Sequence, residues 1–463
     1  MPAHAKTATR VGPSRTDRAL SRLCRHDLDG PRYVTYPRVA CFGDGLTADA
    51  FAAALERSNH GGRPLSLDVQ LPFCRQACRF CACHSIASRD NRQAEPYLSR
   101  LDREMVLLTR HLATSREVQR LHWGGGAPTF LSLNQMGDLF DRLDARFGLS
   151  GSRERDYSIE VDPREADVFT LRHLQALGFN RLSLGVQELD LRVQKAINRI
   201  QPRVLTESLV DEADRLGFRS LNLDLIVGLP LQTRESFAET LDQVIAMAPP
   251  RLSLYRYSHL PERYRAQQQI RAEDLPSRQA QLMILLDARQ RLEADGYVAI
   301  GMGQYARPGD SLAIARANGT LRRDPLGYTP HGPADHIGLG VAAVSQLEEV
   351  LARNPESLAA YEAALDAGRL PTSRGIRLTA DDRLRGDAIE RLLCGMALDL
   401  ETLSTAHGVD AEASLADALQ RLEPLRRDGL LERHGSRLVA TAAGELLIHR
   451  LAMAFDAYPP PGA

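Results

Sequence analysis

The chain lacks an excess of either charge: 58 Lys and Arg stand against 59 Asp and Glu, a formal net charge of -1 over 463 residues. A general nucleic-acid binder carries a basic excess, and a segment drawn to anionic lipid carries a basic cluster, so neither partner is expected. It lacks any apolar run near the ~18 residues that a bilayer span requires. No hydrophobic stretch follows the basic residues near the N-terminus, so no secretory leader is expected and the cytoplasm is the expected compartment. The first ~15 residues have the composition of a disordered tail. There is no internal repeat of fixed short period and no low-complexity block. Cysteine is scarce, seven in all, and an odd number argues against a disulfide framework in a reducing compartment.

The cysteine that is present is concentrated. The stretch PFCRQACRFCAC, residues 72–83, holds Cys74, Cys78, Cys81 and Cys83, while Cys24, Cys41 and Cys394 are scattered. Metal ligation is the natural reading of such a loop. Structural zinc favours two separated ligand pairs closing a tetrahedron, whereas spacings of four, three and two on one loop wrap a compact cluster more easily. Thiolates are also the usual ligands of iron–sulfur clusters. Cys74, Cys78 and Cys81 alone form CxxxCxxC. Three thiolates on a four-iron cubane leave one iron open to a small chelating molecule, with Cys83 an extra, non-ligating neighbour.

From residue 65 onward, short β-patterned runs alternate with helical ones. LSLDVQ, VQRLHW, YSIEV, RLSLGV, SLNLDLIVG, RLSLYRY and YVAIG read as strands, with a helical pattern between most consecutive pairs. Six or seven such units predict a parallel sheet under helices, curled by right-handed crossovers into a partial or full (β/α) barrel. The strands' C-terminal ends then surround one mouth. Gly124, Gly125 and Gly126 follow one strand there, where missing side chains let backbone approach a ligand. Glu160, Gln187 and Asp224 lie at equivalent depth on later strands, and Arg199 follows nearby, suited to pair with a carboxylate. After about residue 370, helices over DDRLRGDAIERLLCGMAL and ASLADALQRLEPLRRDG precede a hairpin turning at His434-Gly435-Ser436 and a last helix, AAGELLIHRLAMAF. That order predicts a small winged-helix-like domain. No basic stripe accompanies it, so packing rather than DNA binding is its expected role. The expected organisation is an N-terminal tail and substrate-side extension over 1–60, the barrel over 61–365, and the helical domain over 366–463.

CxxxCxxC with an aromatic, Phe80, before its third cysteine resembles the signature of radical S-adenosylmethionine (SAM) enzymes. The fourth cysteine in CRFCAC narrows the resemblance to oxygen-independent coproporphyrinogen III oxidases. So do GPRYVTYP (30–37), LHWGGGAPTFL (121–131), IEVDPRE (159–165), GFNRLSLGVQELDLRVQKAINRIQ (178–201) and NLDLIVGLPLQT (222–233). ARPGDSLAIARANGTLRRDPLGYT (306–329) and LLIHRLAMAFDAY at the C-terminal end complete a likeness covering nearly the whole chain. The resemblance implies a 4Fe-4S cluster held by Cys74, Cys78 and Cys81, and two SAM molecules. The first would contact Gly125, Glu160 and Val344. The second would contact Phe80, Gly126, Ala127, Gln187, Arg199, Asp224 and Ser258. Cys83 and Glu160 are the implied catalytic residues. The implied reaction is oxidative decarboxylation of two propionates of coproporphyrinogen III to the vinyls of protoporphyrinogen IX. It implies a tetrapyrrole substrate, a low-potential electron donor and a monomer. Arg32 and Arg307 are candidates to meet substrate carboxylates.

The chain also departs from the family pattern. Asp68 and Gln70 in DVQLPFC stand where the family has tyrosine and histidine. Gly303 and Gln304 in GMGQYA replace an aspartate–histidine pair, and YTPHG (328–332) replaces YTTQG. Gln cannot shuttle protons near neutral pH as His can. Two alternatives follow: a diverged radical SAM paralogue acting on another tetrapyrrole or other substrate, or a haem-binding or haem-delivery protein.

Overall fold

The structure, a computed structural model, describes residues 23–27, 33–83 and 85–458. The expected N-terminal tail and Arg32 lie outside the described residues.

Seven strands run parallel: β1 (Leu65–Leu71), β2 (Val118–Gly125), β3 (Asp156–Val161), β4 (Arg181–Gln187), β5 (Ser220–Val227), β6 (Arg251–Arg256) and β7 (Asp335–Leu339). β1 to β6 follow chain order across the sheet, and β7 returns to pair with β1 on its other side. Antiparallel strands extend both ends, giving a twelve-stranded sheet that stays open, a partial barrel. One expected barrel strand is placed differently. Val298–Gly301 is an edge strand, separated from β6 by Gln304–Ala306, which runs antiparallel to both. The cause is the tight reversal at Gly301-Met302-Gly303, where φ is 141°, 49° and 81°. That turn folds the chain back before it can cross over.

Side-chain alternation sets the two faces of the sheet. Leu67, Val69, Leu121, Trp123, Ile159 and Leu223 point outward and are fully buried beneath the helices. The inward rows are polar: Ser66 and Asp68 on β1, Arg120 and His122 on β2, Ser158 and Glu160 on β3, Asn222 and Asp224 on β5. A barrel core is normally filled with branched apolar side chains; this one is built to be wet or occupied. Its floor is closed by ion pairs. Asp156 pairs with Arg181 at 2.7 Å and with His331 of YTPHG at 2.7 Å, Arg251 with Asp310 at 2.8 Å, and Arg120 with Asp324.

A second hydrophobic core gathers Leu384, Leu392, Leu403, Leu422, Leu438 and Phe455. Helix Ala380–Gly395 stops at Met396 (φ 53°), and Ala397 and Leu398, expected as its end, fall in a strand, Ala397–Asp399, beside the hairpin Leu431–His434 and Arg437–Ala440. The hairpin turns at Gly435 as expected, giving the winged-helix-like order. The expected last helix is two short ones, Ala442–Leu446 and Ile448–Met453. Leu23 and Tyr33 pack into this core, and the Tyr33 hydroxyl donates to buried Asp456 at 3.0 Å. The sheet itself continues to Arg374–Arg377.

Candidate functional site

The cysteine loop leaves the C-terminal end of β1 and is fixed from three sides by backbone-directed hydrogen bonds. The Arg75 N–H donates to Glu165 (2.9 Å), the Arg79 N–H to the Ile197 carbonyl (2.9 Å), and Asn198 Nδ2 to the Ala77 carbonyl (3.0 Å). Gln267 Nε2 donates to the Phe80 carbonyl at 3.1 Å. The Phe80 side chain packs against the small cluster of Val193, Ile197, Ile226 and Leu229. None of these contacts uses a thiol, so the loop is held ready for its ligand.

All seven cysteines are free. Cys78 is buried between two arginines: Arg164 Nη2 is 3.4 Å and Arg199 Nη1 3.5 Å from its sulfur. Asp162 lies between the same two arginines, 2.7 Å from Arg164 and 2.8 Å from Arg199. Burial alone would raise the Asp162 carboxyl, but the two guanidiniums outweigh it and hold it at about 2. Arg164 Nη1 and Arg199 Nε are buried without a partner among the described residues. Such donors fit an anionic sulfur-rich group at the loop. The Cys83 N–H donates to Cys81 sulfur at 3.3 Å, and Cys83 holds the Cys81 thiol below its ordinary range, while burial pushes Cys74 up to about 12.

The glycine run explains how β2 approaches the loop. The Gly126 and Ala127 N–H groups donate to the carbonyls of Leu71 (2.8 Å) and Phe73 (2.7 Å). A Cβ on Gly126 would stand 2.5 Å from the Phe73 carbonyl oxygen and 2.8 Å from that of Leu71. Both are backbone atoms that cannot swing aside. Gly126→Ala is therefore expected to displace the loop, costing about 1–3 kcal/mol and lowering bound iron several-fold after anaerobic reconstitution. Gly332→Ala, with nothing within 4 Å, is expected to change neither.

Three adjoining chambers lead away from this loop, the first of them lined by it. The outer one, about 360 Å³, is lined by Cys83, Gly125, Asp68, Gln70, His122 and Glu160. The inner one, about 200 Å³, shares His122 and Glu160 with it and adds Ser158, Ser183, Asn222 and Asp224. The third, about 190 Å³, shares Tyr255 and Gln304 with the second and lies at the seam with the C-terminal core, lined by Ser258, Met302, Arg323 and Leu447 among others. Gln187 sits at φ 67° on a bulge of β4, a conformation an L side chain rarely adopts without a reason. Val344, the first residue of strand Val344–Gln346, lines neither of the first two chambers; Val341 and Ala342, just before it, line the outer one. Arg307 is not at the mouth. It pairs with Asp295 at 2.8 Å and stacks on Tyr297 at the opposite, N-terminal end of β6.

The departures have local causes or partners. At Gly303, φ is 81° and a Cβ would meet the Leu254 carbonyl oxygen at 2.3 Å, so a side chain is excluded. Gln304 joins the inner and seam chambers. Sequence reading missed Asp162, Arg164, His122 and His336. Arg164 stands within IEVDPRE, but its pairing with residues on other loops is visible only in three dimensions.

Asp224 accepts from Ser183 Oγ (2.8 Å) and Asn222 Nδ2 (2.7 Å), yet burial, with the charge of Glu160, pushes its carboxyl up to about 6. An acid held above its unfolded value of about 3.9 binds more protons when folded. Its contribution to stability therefore falls as pH rises from about 4 through about 6, and is level above. Asp224→Asn is expected to remove that decline, on the order of 2–3 kcal/mol, in urea unfolding of the cluster-loaded chain without SAM. An unchanged decline would contradict the assignment.

The radical SAM superfamily profile matches residues 70–244, and the HemN C-terminal domain profile residues 378–447. An oxygen-independent coproporphyrinogen III oxidase of Pseudomonas aeruginosa is 44% identical over 436 residues, covering 94% of this chain and 95% of its own length. The chain belongs to the oxygen-independent coproporphyrinogen III oxidase family. The family's Escherichia coli K12 member is 41% identical over 439 residues, covering 95% of each chain. The solved structure of coproporphyrinogen III oxidase (HemN) from Escherichia coli, described as a radical SAM enzyme, superposes with TM-score 0.88 at 41% identity, covering 92% of this chain and 97% of that one. The chain is thus an oxidoreductase of the radical SAM type, and a 4Fe-4S cluster and SAM are its cofactors. These matches favour neither the paralogue nor the haem-delivery alternative. Among the described residues no helix is long and apolar enough to cross a membrane.

Proposed function

We propose that this chain converts coproporphyrinogen III to protoporphyrinogen IX without oxygen, by oxidative decarboxylation of two propionate side chains. The observation that carries the reading is the row of adjoining chambers leading from the cysteine loop to an amphipathic seam. When bound, the cluster and SAM supply the abstraction of one hydrogen atom from a propionate β-carbon. Loss of carbon dioxide and of one electron, taken by a one-electron acceptor, then leaves the vinyl double bond.

The residues divide this work. Cys74, Cys78 and Cys81 hold the cluster, and Arg164 and Arg199 surround Cys78 with positive charge. Gly125 and Gly126 let the backbone of β2 lie against the cofactor. Glu160, half exposed and 3.8 Å from His122, faces both the outer and inner chambers and accepts donors from either. A first SAM in the outer chamber and a second in the inner, beside Asp224, is supported by the two chambers sharing Glu160 and His122. The seam chamber sets Arg256, Arg289, Arg316 and Arg323 among Leu254, Met302 and Ile448, with Arg256 paired to Asp27 and Arg289 to Glu445, a carboxylate that a substrate propionate would replace. That combination suits a flat apolar macrocycle bearing carboxylates. The seam thus replaces Arg307 as the expected meeting place. A low-potential electron donor, action as a monomer and a cytoplasmic location complete the reading.

The test is an anaerobic reaction of reconstituted enzyme with reductant, SAM and coproporphyrinogen III, following 5′-deoxyadenosine and protoporphyrinogen together. Both are expected. The nucleoside without the porphyrinogen would overturn the substrate assignment.

A further inference from the structure

Asp68 is only 7% exposed, in mid-β1, and its Oδ1 has no partner among the described residues. Its Oδ2 accepts from Gln70 Nε2 at 2.8 Å, and His336 Nε2 stands 3.9 Å from that same oxygen, too far for a hydrogen bond. Leaving a buried carboxylate oxygen unmatched is costly. Asp68 nevertheless lines the outer chamber, with the cysteine loop on one wall and Glu160 on another. Among the described residues the chamber's basic side chains are Arg353, tied to Glu356, and His122, 3.8 Å from Glu160. Two carboxylates therefore face a space of about 360 Å³, and one of them holds a free acceptor.

We propose that Asp68 makes this chamber select a positively charged ligand, the sulfonium SAM over its uncharged thioether analogue S-adenosylhomocysteine. The inference rests on the outer chamber being the SAM site. SAM and S-adenosylhomocysteine share adenine, ribose and the amino-acid end, and differ at sulfur by a methyl group and a unit charge. A carboxylate facing the bound sulfur separates them by charge, and an amide of the same shape does not. Asp68→Asn keeps an oxygen acceptor and removes the charge.

The experiment is anaerobic calorimetric titration of cluster-loaded enzyme with each compound, checking bound iron and Tm for every variant. The unmodified chain is expected to bind SAM more tightly. In Asp68→Asn the ratio of the two affinities is expected to fall roughly tenfold, or about 1.4 kcal/mol, with S-adenosylhomocysteine affinity nearly unchanged. Asp68→Ser, neutral and smaller, is expected to lower the ratio as well. An unchanged ratio, or equal losses for both compounds, overturns the inference while leaving the cofactor site standing. Equal affinities in the unmodified chain overturn it without any variant. If SAM neither binds nor perturbs the spectrum of the reduced cluster in the unmodified chain, the cofactor site is itself misplaced.

Discussion

Cys78→Ala is expected to abolish the iron–sulfur cluster while leaving the chain folded. Cys78 is the buried member of the CxxxCxxC set, and its sulfur is approached by both Arg164 and Arg199. Without it the two remaining thiols cannot hold three irons. The loop itself persists, because its anchors at Glu165, Ile197, Asn198 and Gln267 are hydrogen bonds independent of sulfur. Bound iron and sulfide after anaerobic reconstitution should drop more than roughly tenfold, with helical circular dichroism preserved. Cys24→Ala and Cys394→Ala should keep their iron. Cys394 is a buried residue packed with Ile300 and Tyr328, and behaves as a small hydrophobe. Normal iron in the Cys78 variant would contradict the ligand assignment.

Arg199→Met is expected to destabilise the chain strongly. The Arg199 side chain is 6% exposed and donates to both oxygens of Asp162, to the Gly185 carbonyl and to Cys78 sulfur. Methionine fills similar volume but leaves Asp162 with one guanidinium where it had two. Removing one partner of a buried ion pair costs about 3–5 kcal/mol. The same change strips a positive charge from beside the cluster, so iron retention should fall as well. Arg199→Lys should recover part of the stability, since it restores charge but not the fork that reaches Asp162 and Gly185 together. Urea unfolding of the three cluster-loaded proteins checks the order; equal midpoints for arginine and methionine would refute it.

Much of this architecture could be read from residue order. The alternation in SLNLDL and RLSLY set polar residues on one face and leucines on the other, and the structure makes those polar rows the inner wall. The cysteine spacing announced the cluster loop. Two kinds of feature escaped. The first is what turn chemistry decides: Gly301-Met302-Gly303 converts YVAIG from a barrel strand into an edge hairpin. β7, parallel to β1 though about 260 residues later, has no local signature of its neighbour. The second is what long-range pairing decides. Asp162 meets Arg199 across 37 residues, and His336 approaches Asp68 from the far side of the chain. Arg307 shows the converse: a cation in a matching segment was drawn to its nearest carboxylate, Asp295, and stayed there.

The central claim is that three thiolates hold a cluster with one iron left open to SAM. Mössbauer spectroscopy of iron-57-reconstituted enzyme, with and without SAM, tests it most directly. One iron is expected to be distinguished from the rest, and SAM to shift that iron's signal alone. A spectrum in which SAM moves no iron would contradict it, as would a chain that binds zinc in place of iron.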